Sequence, residues 1–373
     1  MPGSCLKRLG AAAPPARAPE PARSRPSVLA RFVKRLGANV PVHGEAHAVS
    51  RTRAYPEWHL ASSLAEATWR AFQGAAVVAG GVDLGERLRL VRRAPRSIVC
   101  IRGLAELRRL DVRTDGVCIG TLVTLQELAQ SPLVLERFPA LARAAGLAAT
   151  PAVREVATVG GNLMQYPRCW QLRTEGRPCR RSGAGRCHSD GSWRADGALF
   201  DRRACASAHP SSLAPVLIAL GARAEAHSVS GLVRVPLDRL YPPRRSSAGR
   251  PVCTTPADIL TCIHLRWPAP GAVTFFDARR TGDTVTAAVA GSVQVRDQVV
   301  EAARIVLGGV APSPWRARAA EARLVGARLC PAALRDAVHA ELAIAPAPAG
   351  SAAKARDLQS AALTALRVGE GVS

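Results

Sequence analysis

Ala75-Ala76-Val77-Val78-Ala79-Gly80-Gly81-Val82-Asp83-Leu84 reads as a short buried strand, a two-glycine turn and the start of a new element. The adjacent glycines leave the strand exit without Cβ atoms, so its backbone N–H groups can close on an anionic ligand. The turn matches neither GxGxxG nor the Walker A pattern, and neither a Rossmann unit nor a P-loop is expected. A second turn of the same character, Thr158-Val159-Gly160-Gly161-Asn162, adds a Thr hydroxyl and an Asn carboxamide as further hydrogen-bonding groups. Two such loops in one domain point toward a dinucleotide.

Just past the second turn, Cys169, Cys179, Cys187 and Cys205 crowd one polar, arginine-rich stretch, with nine, seven and seventeen residues between successive cysteines. No CxxC pair is present, which disfavours a zinc ribbon. Four thiolates at loose spacing suit a segment wrapped around a large inorganic core, as in a [4Fe-4S] cluster. His188, next to Cys187, is an alternative ligand, and the spacing by itself also admits four unrelated loop cysteines. The other six cysteines stand singly, and Cys100 and Cys118 lie in apolar runs where a thiol packs as a small hydrophobe. Without a secretory h-region, a disulfide framework is not expected.

The chain has 373 residues, 48% of them hydrophobic, enough for two or three domains with a sizeable core. No apolar run approaches the ~18 residues of a membrane span, so a cytoplasmic protein without membrane contact is expected, with periplasmic export as part of a complex the alternative. A formal net charge of +23 raises the question of nucleic acid. However, the only lysines are Lys7, Lys34 and Lys354, the arginines are scattered, and three tyrosines offer little stacking surface. The charge is read as compositional bias and nucleic acid is not an expected partner.

Residues 1–50, rich in Ala, Pro and Arg, carry no sustained period and are expected to form a disordered basic arm. Helical spacing covers Leu60 to Phe72, strands are expected at Ala75–Val78, Ser97–Ile101 and Val117–Gly120, and a helix at Leu104–Leu110. Leu125–Ala129 and Ala140–Leu147 are helical candidates, separated by Ser131-Pro132 and Phe138-Pro139. The insertion at about 166–205 is too polar to order itself and needs a staple. Leu213–Leu220 reads as a helix and residues 222–226 as a strand. The linker is placed at about 246–255, overlapping the stretch Pro242 to Pro251. From 256, strands are expected at Asp258–Leu265, Val285–Val295 and Ala303–Leu307, then helices from Trp315 onward. This part shows no titratable cluster in the sequence and is assigned a packing and subunit-contact role. His209-Pro210-Ser211 precedes a helix, where Ser211 reads as a cap rather than a nucleophile.

Taken in order, Ala79–Leu84, Ile119–Leu128, Ala157–Leu163, Arg168-Cys169-Trp170, His209–Ala214 and Leu307–Pro312 resemble the FAD-binding medium subunit of molybdenum hydroxylases, the xanthine dehydrogenase family. The four-cysteine insertion resembles the branch of aldehyde oxidoreductase and 4-hydroxybenzoyl-CoA reductase, which carries an extra [4Fe-4S] cluster beside the flavin. The resemblance implies an α+β fold: a two-subdomain FAD-binding domain of the PCMH/vanillyl-alcohol-oxidase type over 51–245, with subdomains of about 51–105 and 106–245. A smaller α+β C-terminal domain of antiparallel sheet and helices would follow over 256–373.

Carried over by motif, Ala79, Gly80, Gly81, Val82, Asp83 and Leu84 would hold FAD together with Thr121. Thr158, Val159, Gly160, Gly161 and Asn162 would do so from the second loop, with Ser212 and Leu213. Cys169, Cys179, Cys187 and Cys205 would ligate the cluster. The implied activity is oxidoreductase electron transfer, with substrate chemistry in a molybdopterin-binding large subunit and electrons passing between a [2Fe-2S] small subunit and NAD or another acceptor. No catalytic acid or base is implied here. Two positions depart from the family pattern: Val82 where Thr is usual, and Ser212 where Asp is usual. Each removes a potential hydrogen bond worth roughly 1 kcal/mol. The rival expectation is an FAD-free regulatory homologue with a zinc- or cluster-stapled loop.

Overall fold

The computed structural model describes residues 56–90, 95–169, 187, 197–202, 205–241, 258–281, 284–345 and 351–366. The N-terminal arm, the linker stretch and Cys179 lie outside them.

The first subdomain holds β1 (Glu57–Leu60), α1 (Leu64–Phe72), β2 (Ala76–Val78), α2 (Val82–Leu90) and β3 (Ser97–Cys100). Its three strands are parallel in the order β1-β3-β2, with the buried Ile98, Val99 and Cys100 in the centre. Helix α1 starts later than the periodicity suggests. The Ser63 hydroxyl accepts from Glu66 N–H, while the Glu66 carboxylate accepts from Ser62 N–H at 2.9 Å, so the N-terminus is fixed here and Leu60 stays in β1.

The second subdomain is an antiparallel sheet of β4 (Leu110–Arg113), β5 (Gly116–Gly120), β6 (Arg223–Ser228), β7 (Gly231–Pro236) and β8 (Ile259–Arg266), in the order β4-β5-β8-β6-β7. The helix expected at Leu104–Leu110 is instead a single 3-10 turn, Ala105–Leu107, followed by β4. Seven residues barely exceed a helix nucleus, and pairing with β5 claims Leu110. The strand expected from Asp258, counted with the C-terminal part by sequence, is β8, and it pairs with β5 and β6 in this central sheet.

Cys118 of β5 and Cys262 of β8 do not stand singly. Their Cα atoms are 5.9 Å apart and the structure joins their sulfurs as a disulfide, a contact the linear spacing of 144 residues conceals.

Among the described residues, six helices lie between β5 and β6 in the chain: α3 (Leu125–Gln130), α4 (Pro132–Arg137), α5 (Pro139–Leu147), α6 (Pro151–Arg154), α7 (Val159–Leu163) and α8 (Leu213–Ala219). Their Leu125, Val134, Leu141, Leu163 and Leu213 share a core with Val117, Ile119 and Ile263 of the sheet. Pro132, Pro139 and Pro151 each open a helix, where a missing N–H costs nothing. Thr124 and Glu127 form a capping box on α3.

The C-terminal domain is a four-stranded antiparallel sheet, β9 (Ala272–Thr281), β10 (Thr284–Arg296), β11 (Val299–Gly308) and β12 (Trp315–Arg316), backed by α9 (Arg318–Leu324), α10 (Pro331–Ala343) and α11 (Ala352–Ala365). Phe276, Ala288, Ala290 and Val306 of this sheet enter the same apolar core as Leu141, Leu213 and Leu217, so the two domains share a core.

Titratable groups do gather here, contrary to the sequence expectation. Buried Asp277 pairs with Arg143 of α5 at 2.6 Å and with Arg279 at 2.9 Å, and it also accepts from the Thr364 hydroxyl. The three partners come from positions far apart in the chain, which is why the cluster is invisible in sequence. Among the described residues, no helix is long and apolar enough to cross a membrane.

Candidate functional site

The two glycine turns meet at one cavity of about 530 Å³, within the range of roughly 300–1,000 Å³ typical of small-molecule sites. All of residues 79–84 line it, as do Thr121, Thr158, Gly160, Gly161, Asn162 and Ser212. Val159 and Leu213 do not. Both are fully buried and point into the shared core, as apolar residues opening short helices do.

Within each pair the glycines have different tasks. A Cβ at Gly80 would lie 1.8 Å from the Val156 carbonyl oxygen, so the first loop can press against the approach to the second only without a side chain. A Cβ at Gly160 would lie 2.8 Å from Thr121 Cβ. Gly81, in contrast, has φ +80°, and its missing Cβ faces no atom nearer than 3.9 Å. It supplies the left-handed turn and an open, side-chain-free wall.

The second loop spends its donors internally. Val159 N–H donates to Val123 O and Gly160 N–H to Thr121 O, both at 2.9 Å, and Asn162 N–H donates to Thr158 O at 2.8 Å. Gly161 N–H goes to the Thr158 hydroxyl, so that hydroxyl is a helix cap. The Asn162 carboxamide is likewise engaged: its oxygen accepts from the Ser211 hydroxyl at 2.7 Å and from Leu213 N–H at 3.2 Å, and its nitrogen donates to Ser212 Oγ at 3.3 Å. Thr158 and Asn162 therefore shape the wall from within. Ser211 accepts in turn from Ala214 N–H at 3.0 Å, the capping role its sequence position suggests.

The first loop is different. Helix α2 begins at Val82, and its opening amides have no carbonyl four residues back, so they present partial positive charge at the cavity. Burial pushes the Asp83 carboxyl up, against the pull of the Arg87 guanidinium and the Tyr166 N–H that donates to it.

Sequence reasoning missed a charged group on this wall. Arg87 lies one helical turn beyond Asp83 and stacks on the Tyr166 ring, 3.8 Å from its centroid. Arg87, Tyr166, Arg168 and Asp258 all line the cavity. The i,i+4 spacing of Asp83 and Arg87 was the available signal.

The cysteine-bearing insertion starts at the cavity edge, where Cys169 follows Arg168. Cys169, Cys187 and Cys205 are half-buried, and Cys205 Sγ accepts from Ser207 N–H at 3.4 Å. Cys179 lies outside the described residues. Among the described residues no three His, Cys, Asp or Glu side chains gather as a metal-binding group.

Comparison with known proteins decides the family. Residues 51–267 match the FAD binding domain in molybdopterin dehydrogenase, and residues 276–358 match the CO dehydrogenase flavoprotein C-terminal domain. The chain belongs to the FAD-binding medium subunits of the molybdenum hydroxylases. Relatives in this family are FAD-dependent oxidoreductase subunits. The chain is 31% identical over 256 residues to the aldehyde oxidoreductase FAD-binding subunit PaoB of Escherichia coli, covering 67% of this chain and 79% of that one. It is 27% identical over 299 residues to the carbon monoxide dehydrogenase medium chain of Hydrogenophaga pseudoflava, covering 77% and 86%.

Among solved structures, a chain of the carbon monoxide dehydrogenase from H. pseudoflava superposes with TM-score 0.65 at 24% identity, covering 86% of this chain and 99% of that one. That likeness establishes the fold, an α+β FAD-binding domain followed by an antiparallel sheet and helices. The family's FAD fits the residues present: a cavity of suitable size, a side-chain-free wall at Gly81, and helix-start amides facing it.

Proposed function

We propose that this medium subunit relays electrons within a molybdenum hydroxylase complex of the xanthine dehydrogenase or aldehyde oxidoreductase type. The observation that carries the reading is the single cavity where both glycine loops meet, with the cysteine insertion leaving from its edge at Cys169. FAD, when bound, supplies the capacity to accept and release electrons one or two at a time. The chain's own residues bind and orient it. Residues 79–84, Thr121, Thr158, Gly160, Gly161, Asn162 and Ser212 all line the cavity that would hold it.

The same reading assigns Cys169, Cys179, Cys187 and Cys205 to a [4Fe-4S] cluster, a donor set of four thiolates without the CxxC pairs of zinc sites. It makes the partners a molybdopterin-binding large subunit and a [2Fe-2S] small subunit, with NAD or another acceptor at the end of the path. Support comes from the relatives, which are a subunit of an aldehyde oxidoreductase and the medium chain of a carbon monoxide dehydrogenase. Substrate oxidation is assigned to the large subunit.

The test is an anaerobic visible spectrum of the purified chain with flavin, iron and zinc quantified. Flavin near one per chain with about four irons, as one cubic cluster requires, is expected. A colourless chain carrying one zinc, and taking up no FAD on reconstitution, overturns the reading in favour of a cofactor-free homologue.

A further inference from the structure

We propose that Arg87 is the cationic anchor for the FAD pyrophosphate, held at the cavity wall by the ring of Tyr166. The inference rests on the cofactor reading above and goes beyond it, because Arg87 belongs to none of the motifs that carry the family resemblance.

A dinucleotide brings two negative charges in its pyrophosphate, and something in the cavity must meet them. The second glycine loop is poorly placed to do so. The N–H groups of Val159, Gly160, Gly161 and Asn162 are each hydrogen-bonded within the protein, as is the Asn162 carboxamide. At the first loop, Val82 carries no hydroxyl, which leaves the opening amides of α2 as backbone donors. Those amides share the wall with the carboxylate of Asp83, whose charge works against an anion. Among the described residues, the charged side chains lining the cavity are Asp83 and Asp258 against Arg87 and Arg168, two of each sign.

Arg87 is the cation best held for the task. It sits on α2 itself, one turn above the loop and on the face of Asp83. Its guanidinium carbon lies over the Tyr166 ring, 3.8 Å from the centroid. A planar guanidinium fixed by stacking keeps its edge donors available, and those donors match phosphate oxygens in pairs. Tyr166 is fixed in turn, because its backbone N–H is bonded to the Asp83 carboxylate. Asp83, Tyr166 and Arg87 are thus linked at the cavity: the carboxylate accepts from Tyr166 N–H, and the Tyr166 ring carries the guanidinium, whose charge acts on that carboxylate. Tyr166 is a positioning residue in this account and Arg87 the ligand-binding one.

The experiment is FAD titration of the full-length apo chain by flavin fluorescence at several salt concentrations, with apo thermal unfolding as the check on folding. Arg87→Gln is expected to weaken FAD binding at least about ten-fold, the equivalent of ~1.4 kcal/mol, and to flatten the salt dependence. Arg87→Lys, which keeps the charge, should recover part of the affinity and the salt slope. Tyr166→Ala removes the ring and should weaken FAD several-fold, and Tyr166→Phe, which restores the ring, should recover most of that loss. If wild type binds FAD and folded Arg87→Gln matches it in affinity and salt slope, the anchor role falls while the cofactor reading stands. If Arg168→Gln loses the affinity and Arg87→Gln does not, the anchor is misassigned and the proposal is overturned. If the wild-type chain takes up no FAD, both readings fall.

Discussion

Asn162 accepts a hydrogen bond from the Ser211 hydroxyl at 2.7 Å, joining two loops 49 residues apart across the cavity wall. The same oxygen accepts from Leu213 N–H, and both Asn162 and Ser211 are buried. Asn162→Ala would leave a buried hydroxyl and a buried amide without an acceptor, at about 1–3 kcal/mol each. We expect a loss of roughly 2–4 kcal/mol in urea unfolding of the apo chain. Asn162→Asp, compared at acid pH where its carboxyl is protonated and adds no charge, keeps an acceptor oxygen and should cost clearly less. Equal losses would show that the side chain merely fills space.

The two glycines of the first loop should respond differently to the same methyl group. Gly80→Ala places a Cβ 1.8 Å from a backbone carbonyl that cannot rotate away, so the two loops must separate. Gly81→Ala meets open space and carries only the cost of a left-handed φ, about 1–2 kcal/mol. Gly80→Ala should therefore abolish FAD binding or folding, while Gly81→Ala should remain folded with a lowered unfolding midpoint. The reverse order would mean that the loops are not packed as described.

The contrast between these glycines also marks what the sequence reveals. Strand–glycine–glycine punctuation is local, so both loops, β2 and the starts of α3 and α5 are legible from composition and spacing. Which glycine packs and which stays open depends on Val156 and Thr121, residues that only folding brings near. The same limit hid the β5–β8–β6 pairing, the Cys118–Cys262 contact and the Asp277 cluster, all of which join distant segments. Val159 and Leu213 stood inside motifs, and motif membership does not tell a wall residue from one that anchors the wall to the core. Arg87 lay outside every motif and was missed for that reason.

Asp277 ties the C-terminal sheet to α5 and α11, and its titration should be visible in stability. Burial pushes its carboxyl up, but the Thr364 hydroxyl and Arg143 outweigh burial and hold it below the usual carboxylate range. A depressed folded pKa contributes stability that is fully present above the unfolded value, about 3.9, and is lost as pH falls through the folded value. Asp277→Asn should cost about 2–3 kcal/mol at neutral pH, since both arginines keep some solvent exposure. The gap between variant and wild type should narrow below about pH 4. A gap of constant size from pH 7 to pH 3 would contradict the charge-based account.

Lys354 extends the same logic from the last helix to the cavity. Buried at the start of α11, its ammonium donates to Gly197 O at 2.6 Å and Gly309 O at 2.7 Å. Next to Gly309, the Val310 carbonyl accepts from Leu199 and Phe200 N–H, and the Ala311 carbonyl accepts from His209 N–H at 2.7 Å. His209 is two residues from Ser211, which returns the path to Asn162. Lys354→Met leaves two carbonyls without their donor and should cost roughly 2 kcal/mol. If the path behaves as one unit, Lys354→Met and Asn162→Ala should be non-additive by more than about 0.5 kcal/mol in a double-mutant cycle. Additivity within about 0.3 kcal/mol would mean that the C-terminal anchor and the cavity wall are held independently, with the two domains coupled through the shared apolar core and the Asp277–Arg143 pair instead.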